Sequence, residues 1–181
     1  MTTLSDFTQE EQELLIKLPY CVGMFISRAD NEQSQEETQR EMVALIRILQ
    51  VLPNLYENTP LVQEILTETH NQNEKWDTWL NSDFVIQEEG PKAMAYLRQK
   101  ATSEELHAYA KAAHEIADTV ARAVSEAGSF EIQQVPRDGI MKLIYNAMKA
   151  IGMTSAQNSK NITATEMAAI AEVDAALKFS E

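Results

Sequence analysis

A single cysteine, Cys21, is present in 181 residues. That excludes an internal disulfide and a cysteine-based zinc site. Flanked by Tyr20 and Val22, this thiol reads as a small buried hydrophobe rather than a reactive group. Glycine and proline are also sparse, five of each, too few for an architecture of short strands and tight turns. Basic residues are outnumbered 15 to 28 by acidic ones, for a formal charge of −13. So negative a chain repels phosphate backbones and anionic lipid, so nucleic acid and membrane surfaces are excluded as expected partners. A cation or a basic partner suits it better. No apolar run reaches the ~18 residues of a membrane span. The start, MTTLSDFTQEEQ, lacks the basic and apolar regions of a signal peptide, so the expected location is the cytoplasm.

What is abundant is helical pattern. Lys100 to Gly128 carries the longest one, opened by a capping box of Thr102 and Glu105. Leu106, Tyr109, Ala113, Ile116, Ala117, Val120 and Val124 fall on one face at about 100° per residue. Gly128 stands where a helix-ending glycine is expected. Three more boxes recur at Thr8/Glu11, Ser34/Glu37 and Thr163/Glu166. Ile162 and Met167 are spaced for a hydrophobic staple. Pro19 is expected to end or kink the first helix, and Gly90-Pro91 to break the segment around Asp83 to Lys100. Thr59-Pro60 reads as an N-cap with proline at the first helical position. No sustained alternation of apolar and polar residues occurs, so no sheet is expected. The pattern predicts one all-α domain over residues 1–181, a bundle of about seven to nine helices.

Two helix-pair segments match at constant offset. Val22, Gly23, Ile26, Ser27 and Ala29 correspond to Val120, Ala121, Val124, Ser125 and Ala127. If this is a degraded duplication, the second copy carries a helical insertion at about residues 129–162, suited to a lid or a docking element. Independent amphipathic helix pairs would give the same spacing.

The run from Phe25 to Leu49, FISRADNEQSQEETQREMVALIRIL, resembles the helical TerB-like proteins of tellurite resistance. Their pattern is an apolar helix ending in Ala-Asp-Gly, an acidic link, and a helix opened by Ser-x-x-Glu. Ala29-Asp30-Asn31 and Ser34 to Glu37 occupy those places, and a second, degraded instance spans Ala123–Gly128 and Ile162–Val173, with Gly128 in place of the acid. The resemblance implies an acidic, cytoplasmic, all-helical domain linked to metal or stress response.

Two sites are open on residue chemistry. The first is the acidic link, where Asp30, Glu32, Glu36 and Glu37 could hold a divalent cation through carboxylate oxygens. The frame from Asp30 to Glu41 has EF-hand-like spacing, but Gln35 stands where that loop needs glycine. The second is a helix face bearing Glu104, His107, His114 and Asp118, which suits a transition metal in a bundle. Lys111 projects between its histidines, and no second Glu-x-x-His exists to complete a di-iron site. Trp76 and Trp79 offer either a recognition surface or a core anchor. The sequence has no phosphate-cradling glycine loop and no nucleophile elbow. The expectation is a non-enzymatic acidic module that binds a protein partner or itself. A metal-dependent enzyme or metal-storage bundle built on the Glu/His face is the alternative.

Overall fold

Threonine hydroxyls cap the starts of three helices, while Thr59 precedes its helix without a side-chain cap bond. The computed structural model describes residues 2–29, 35–123 and 162–178. Over these it has seven α-helices, three short 3₁₀ turns and no strand. α1 spans Gln9–Ser27, α2 Gln35–Val51, α3 Pro60–Asn71, α4 Trp76–Leu80, α5 Ile86–Lys100, α6 Ser103–Arg122 and α7 Ala164–Leu177. Thr8, Thr102 and Thr163 each accept from the backbone N–H three residues on. Glu11, Glu105 and Glu166 reach back to the threonine N–H at 2.7, 2.9 and 2.7 Å. Each box therefore satisfies two otherwise orphaned amides. Ser34 and Gly128 lie outside the described residues, as do Val124, Ser125 and Ala127 of the repeat and all of the 129–162 insertion except Ile162. Of the expected staple, Ile162 packs against the core while Met167 is 49% exposed.

Neither expected proline position ends its helix, for different reasons. α1 continues through Pro19. Proline offers no N–H, which orphans the carbonyl four residues earlier, that of the fully buried Leu15. The Tyr109 hydroxyl of α6 donates to that carbonyl at 2.9 Å. The next carbonyl, of Ile16, meets the Thr69 hydroxyl of α3 at 2.7 Å. Two side chains from other helices thus supply donors at the point where the α1 ladder is broken. α5 likewise runs through Gly90-Pro91. There the orphaned carbonyl belongs to exposed Gln87, which solvent can satisfy, while Gly90 is buried with α7 against it.

α1 and α6 lie against each other at the centre, and α2, α3, α5 and α7 pack around them. Small residues permit this closeness: Ala108, Ala110, Ala112, Ala113, Ala117 and Ala121 of α6 are all buried. At Gly23 of α1, a Cβ would run into the Leu45 side chain of α2. α7 covers α5 and α6 with Ala169, Val173, Ala176 and Leu177. A half-buried pair, Lys17–Glu89 at 2.9 Å, ties α1 to α5. No helix among the described residues is long and apolar enough to cross a membrane.

Candidate functional site

The acidic link leaves α1 just after its end. Arg28 caps that helix and Ala29 follows it. Asp30 and Glu32 lie outside the described residues, as does the side chain of Glu36. Glu36 and Glu37 stand in the first turn of α2, Glu37 half-buried. Because α2 begins at Gln35, residues 35–41 of the EF-hand-like frame are helical. Glu41, the twelfth position, is carried into the core and is fully buried. A calcium loop of that type cannot close around a helix.

The Glu/His face is present on α6 as the periodicity predicts, and two of its members, His114 and Asp118, are drawn into structural pairs. Glu104 and His107 are exposed. His114 Nδ1 lies 2.8 Å from Asp174 Oδ1 of α7, linking the two helices. Both Asp118 oxygens accept from Arg122 Nε, at 2.8 and 2.7 Å. Lys111 lies 3.7 Å from Glu115, which also accepts from the Tyr56 hydroxyl at 2.9 Å. Burial and the neighbouring Glu115 push the Tyr56 hydroxyl up, so it remains a donor. No three His, Cys, Asp or Glu side chains among the described residues gather where a metal could sit. Asp174 was not legible as a partner of His114, because helix spacing gives no register between α6 and α7.

The remaining candidates also hold the fold. Tyr20 stacks on Trp76 with ring centroids 4.8 Å apart and planes 15° from parallel. Trp76 Nε1 donates to the Thr69 carbonyl at 3.0 Å, and Trp79 is buried. The tryptophans therefore anchor α3 and α4 to α1. Cys21 is buried, and desolvation pushes its thiol up to about 12. That keeps it protonated and a poor nucleophile at neutral pH.

One surface feature was missed from the sequence. Where α1 ends beside the start of α7, an open cleft of about 450 Å³ is lined by Phe25, Arg28, Ala29, Thr165, Ala168, Ala169 and Glu172. Its walls are mostly apolar. Arg28 donates to the Leu80 carbonyl at 3.4 Å, and Glu172 accepts from Gln87 at 2.6 Å. The cleft opens where the chain enters the acidic link. The sequence signal for it was the unusual make-up of α7, apolar or small on every side. No family model, curated protein or solved structure shows significant similarity to this chain.

Proposed function

We propose that this chain is a non-enzymatic, acidic helical interaction or stress-response module of the cytoplasm. Its binding end would be formed by the cleft between α1 and α7 and the adjoining acidic link. One observation carries the reading. The described side chains best suited to chemistry (Cys21, Tyr109, His114 and Asp118) are engaged within the bundle, while small and apolar side chains of α7 are left facing outward. Exposed apolar surface on an otherwise well-packed domain is characteristic of interaction sites. The test is affinity capture from source cells with wild type and with Ala168→Gln/Ala171→Gln. A partner retained by wild type and lost by the variant supports the module. A partner set unchanged by the variant overturns this placement.

Cation binding at Asp30, Glu32, Glu36 and Glu37 is the finer part of the proposal. It is supported by the TerB-like resemblance and by the absence of any lysine or arginine between Arg28 and Arg40. Calcium would then raise the melting temperature of wild type, by an amount that grows as its concentration exceeds Kd. Changing the four acids to amides would remove the shift. A shift unaffected by the amides would place the ion elsewhere, and stoichiometric zinc, iron or manganese lost in His107→Ala/His114→Ala would favour the metal-bundle alternative.

A further inference from the structure

The residues ahead of α1 lie along the bundle as an arm, fastened by side chains rather than by a backbone ladder. Thr2 reaches the corner between α5 and α6, its hydroxyl donating to the Lys100 carbonyl at 3.0 Å. The Leu4 N–H donates to Glu64 of α3 at 2.9 Å. Leu4 and Phe7 are buried, and the Lys100 ammonium stands 4.9 Å from the Phe7 ring centroid. That ammonium also meets Glu11 at 2.6 Å. Among the described residues, the backbone-to-backbone bonds that the arm donates stay within it, from Asp6 to Thr3 and from Phe7 to Leu4.

Carboxylates are the common element of the fastening. The amides of Thr3, Leu4 and Thr8 donate to Asp6, Glu64 and Glu11 at 2.8, 2.9 and 2.7 Å. Each bond is charge-assisted, and protonating the carboxylate removes the charge that strengthens it. The Thr3 amide and hydroxyl, with smaller help from the amino terminus and Lys100, hold the Asp6 carboxyl below its ordinary range. Lys100 and the Thr8 amide do the same for Glu11. On α6 the nearest acid to this corner in sequence, Glu105, is taken up by the Thr102 amide at 2.9 Å. Carboxyls lowered in the closed arm favour closure above their ordinary values, about 4. That effect is lost as pH falls through the lowered values. The bundle does not depend on these three bonds, because its helices keep their own ladders and a core that includes Leu15, Ile65 and Ile116.

We infer that residues 2–8 are an acid-released strap, gripped at neutral pH by Asp6, Glu11 and Glu64 and let go on their protonation before the bundle itself opens. Opening bares Leu4 and Phe7 and the part of the core they cover. The strap lies at the start of α1 and the cleft at its end, so the inference stands independently of the interaction-module reading.

Nuclear magnetic resonance of the full-length, isotope-labelled protein reads each amide separately as pH is lowered from about 7 to about 3. The expected result is loss of order at Thr3, Leu4 and Thr8 at a pH where Tyr109 and Ile116 of α6 keep native shifts. Asp6→Asn/Glu11→Gln/Glu64→Gln removes the three charges, so its arm should already be mobile at neutral pH over an intact α6. Lys100→Met should move release to higher pH, since no ammonium then favours the charged form of Glu11. Glu57→Gln, which changes an exposed acid outside the strap, should behave as wild type. The inference is overturned if the arm and α6 lose order together, or if the arm outlasts α6. An arm as ordered in the triple variant as in wild type at neutral pH also overturns it. So does a release pH that Lys100→Met leaves unmoved, or one that Glu57→Gln moves equally. If the triple variant does not fold, the comparison of Lys100→Met with Glu57→Gln decides alone.

Discussion

Tyr109 does more for α1 than fill space. Its hydroxyl donates to the carbonyl that Pro19 leaves without an amide, from 94 residues away in the chain. Burial holds that hydroxyl well above its ordinary range, so it stays protonated and able to donate. Tyr109→Phe leaves a buried acceptor unsatisfied and is predicted to cost about 1–3 kcal/mol. In a Pro19→Ala background the restored amide of residue 19 can bond Leu15, and the cost should shrink. Urea denaturation of the four proteins in the cycle measures the coupling. Full additivity would mean that the hydroxyl and the missing amide are unrelated.

Cys21 gives a prediction in pH. Its thiol is raised by burial from about 9 to about 12, so the folded state holds the proton more tightly than the unfolded one. The contribution to stability is complete below the ordinary thiol value and is lost as pH climbs toward 12. Between those values stability should fall less steeply in Cys21→Ala than in wild type. Equal slopes in urea melts across that window would show the thiol to be already solvated. In the native protein at neutral pH, thiol reagents should label Cys21 only as fast as the fold opens.

The three helix starts at Thr8, Thr102 and Thr163 were legible in the sequence because a capping box is local, with hydroxyl, carboxylate and both amides inside four residues. Proline breaks were not, since the donors that repair α1 come from Tyr109 and Thr69, 94 and 53 residues from the carbonyls they reach. The Glu/His face shows the same divide. Its periodicity on α6 was readable, but the partner of His114 is Asp174, 60 positions away. Of the cleft only the α7 wall carried a sequence signal, because the tertiary fold alone brings the end of α1 beside it. Gly23 lies inside α1, and the structure identifies the Leu45 side chain as what it approaches. Gly23→Ala is therefore predicted to destabilise by about 1–3 kcal/mol through overpacking, with Leu45→Ala in the same chain recovering part of it. A Gly23→Ala protein as stable as wild type would mean that α1 and α2 separate at little cost.

At the scale of the whole molecule, the excess of acid, the polar groups turned inward and the apolar outer face of α7 belong together. A bundle that buries Cys21 and ties Tyr109 and His114 into helix–helix contacts commits those groups to holding shape. What it presents outward is negative charge and, along α7, a seam without polar cover. The account stands or falls on whether that seam is free in the isolated protein. Two polar substitutions two residues apart on α7 decide it. Ala171 is exposed and Val173 is fully buried. Thermal and urea melts should place Ala171→Gln within about 0.5 kcal/mol of wild type, as for an ordinary surface change. Val173→Gln should lose several kcal/mol, about 3 or more, by burying an unsatisfied amide. Comparable losses in the two proteins would contradict the account, because the outer face of α7 would then be covered by the chain itself and no partner would be needed to explain it.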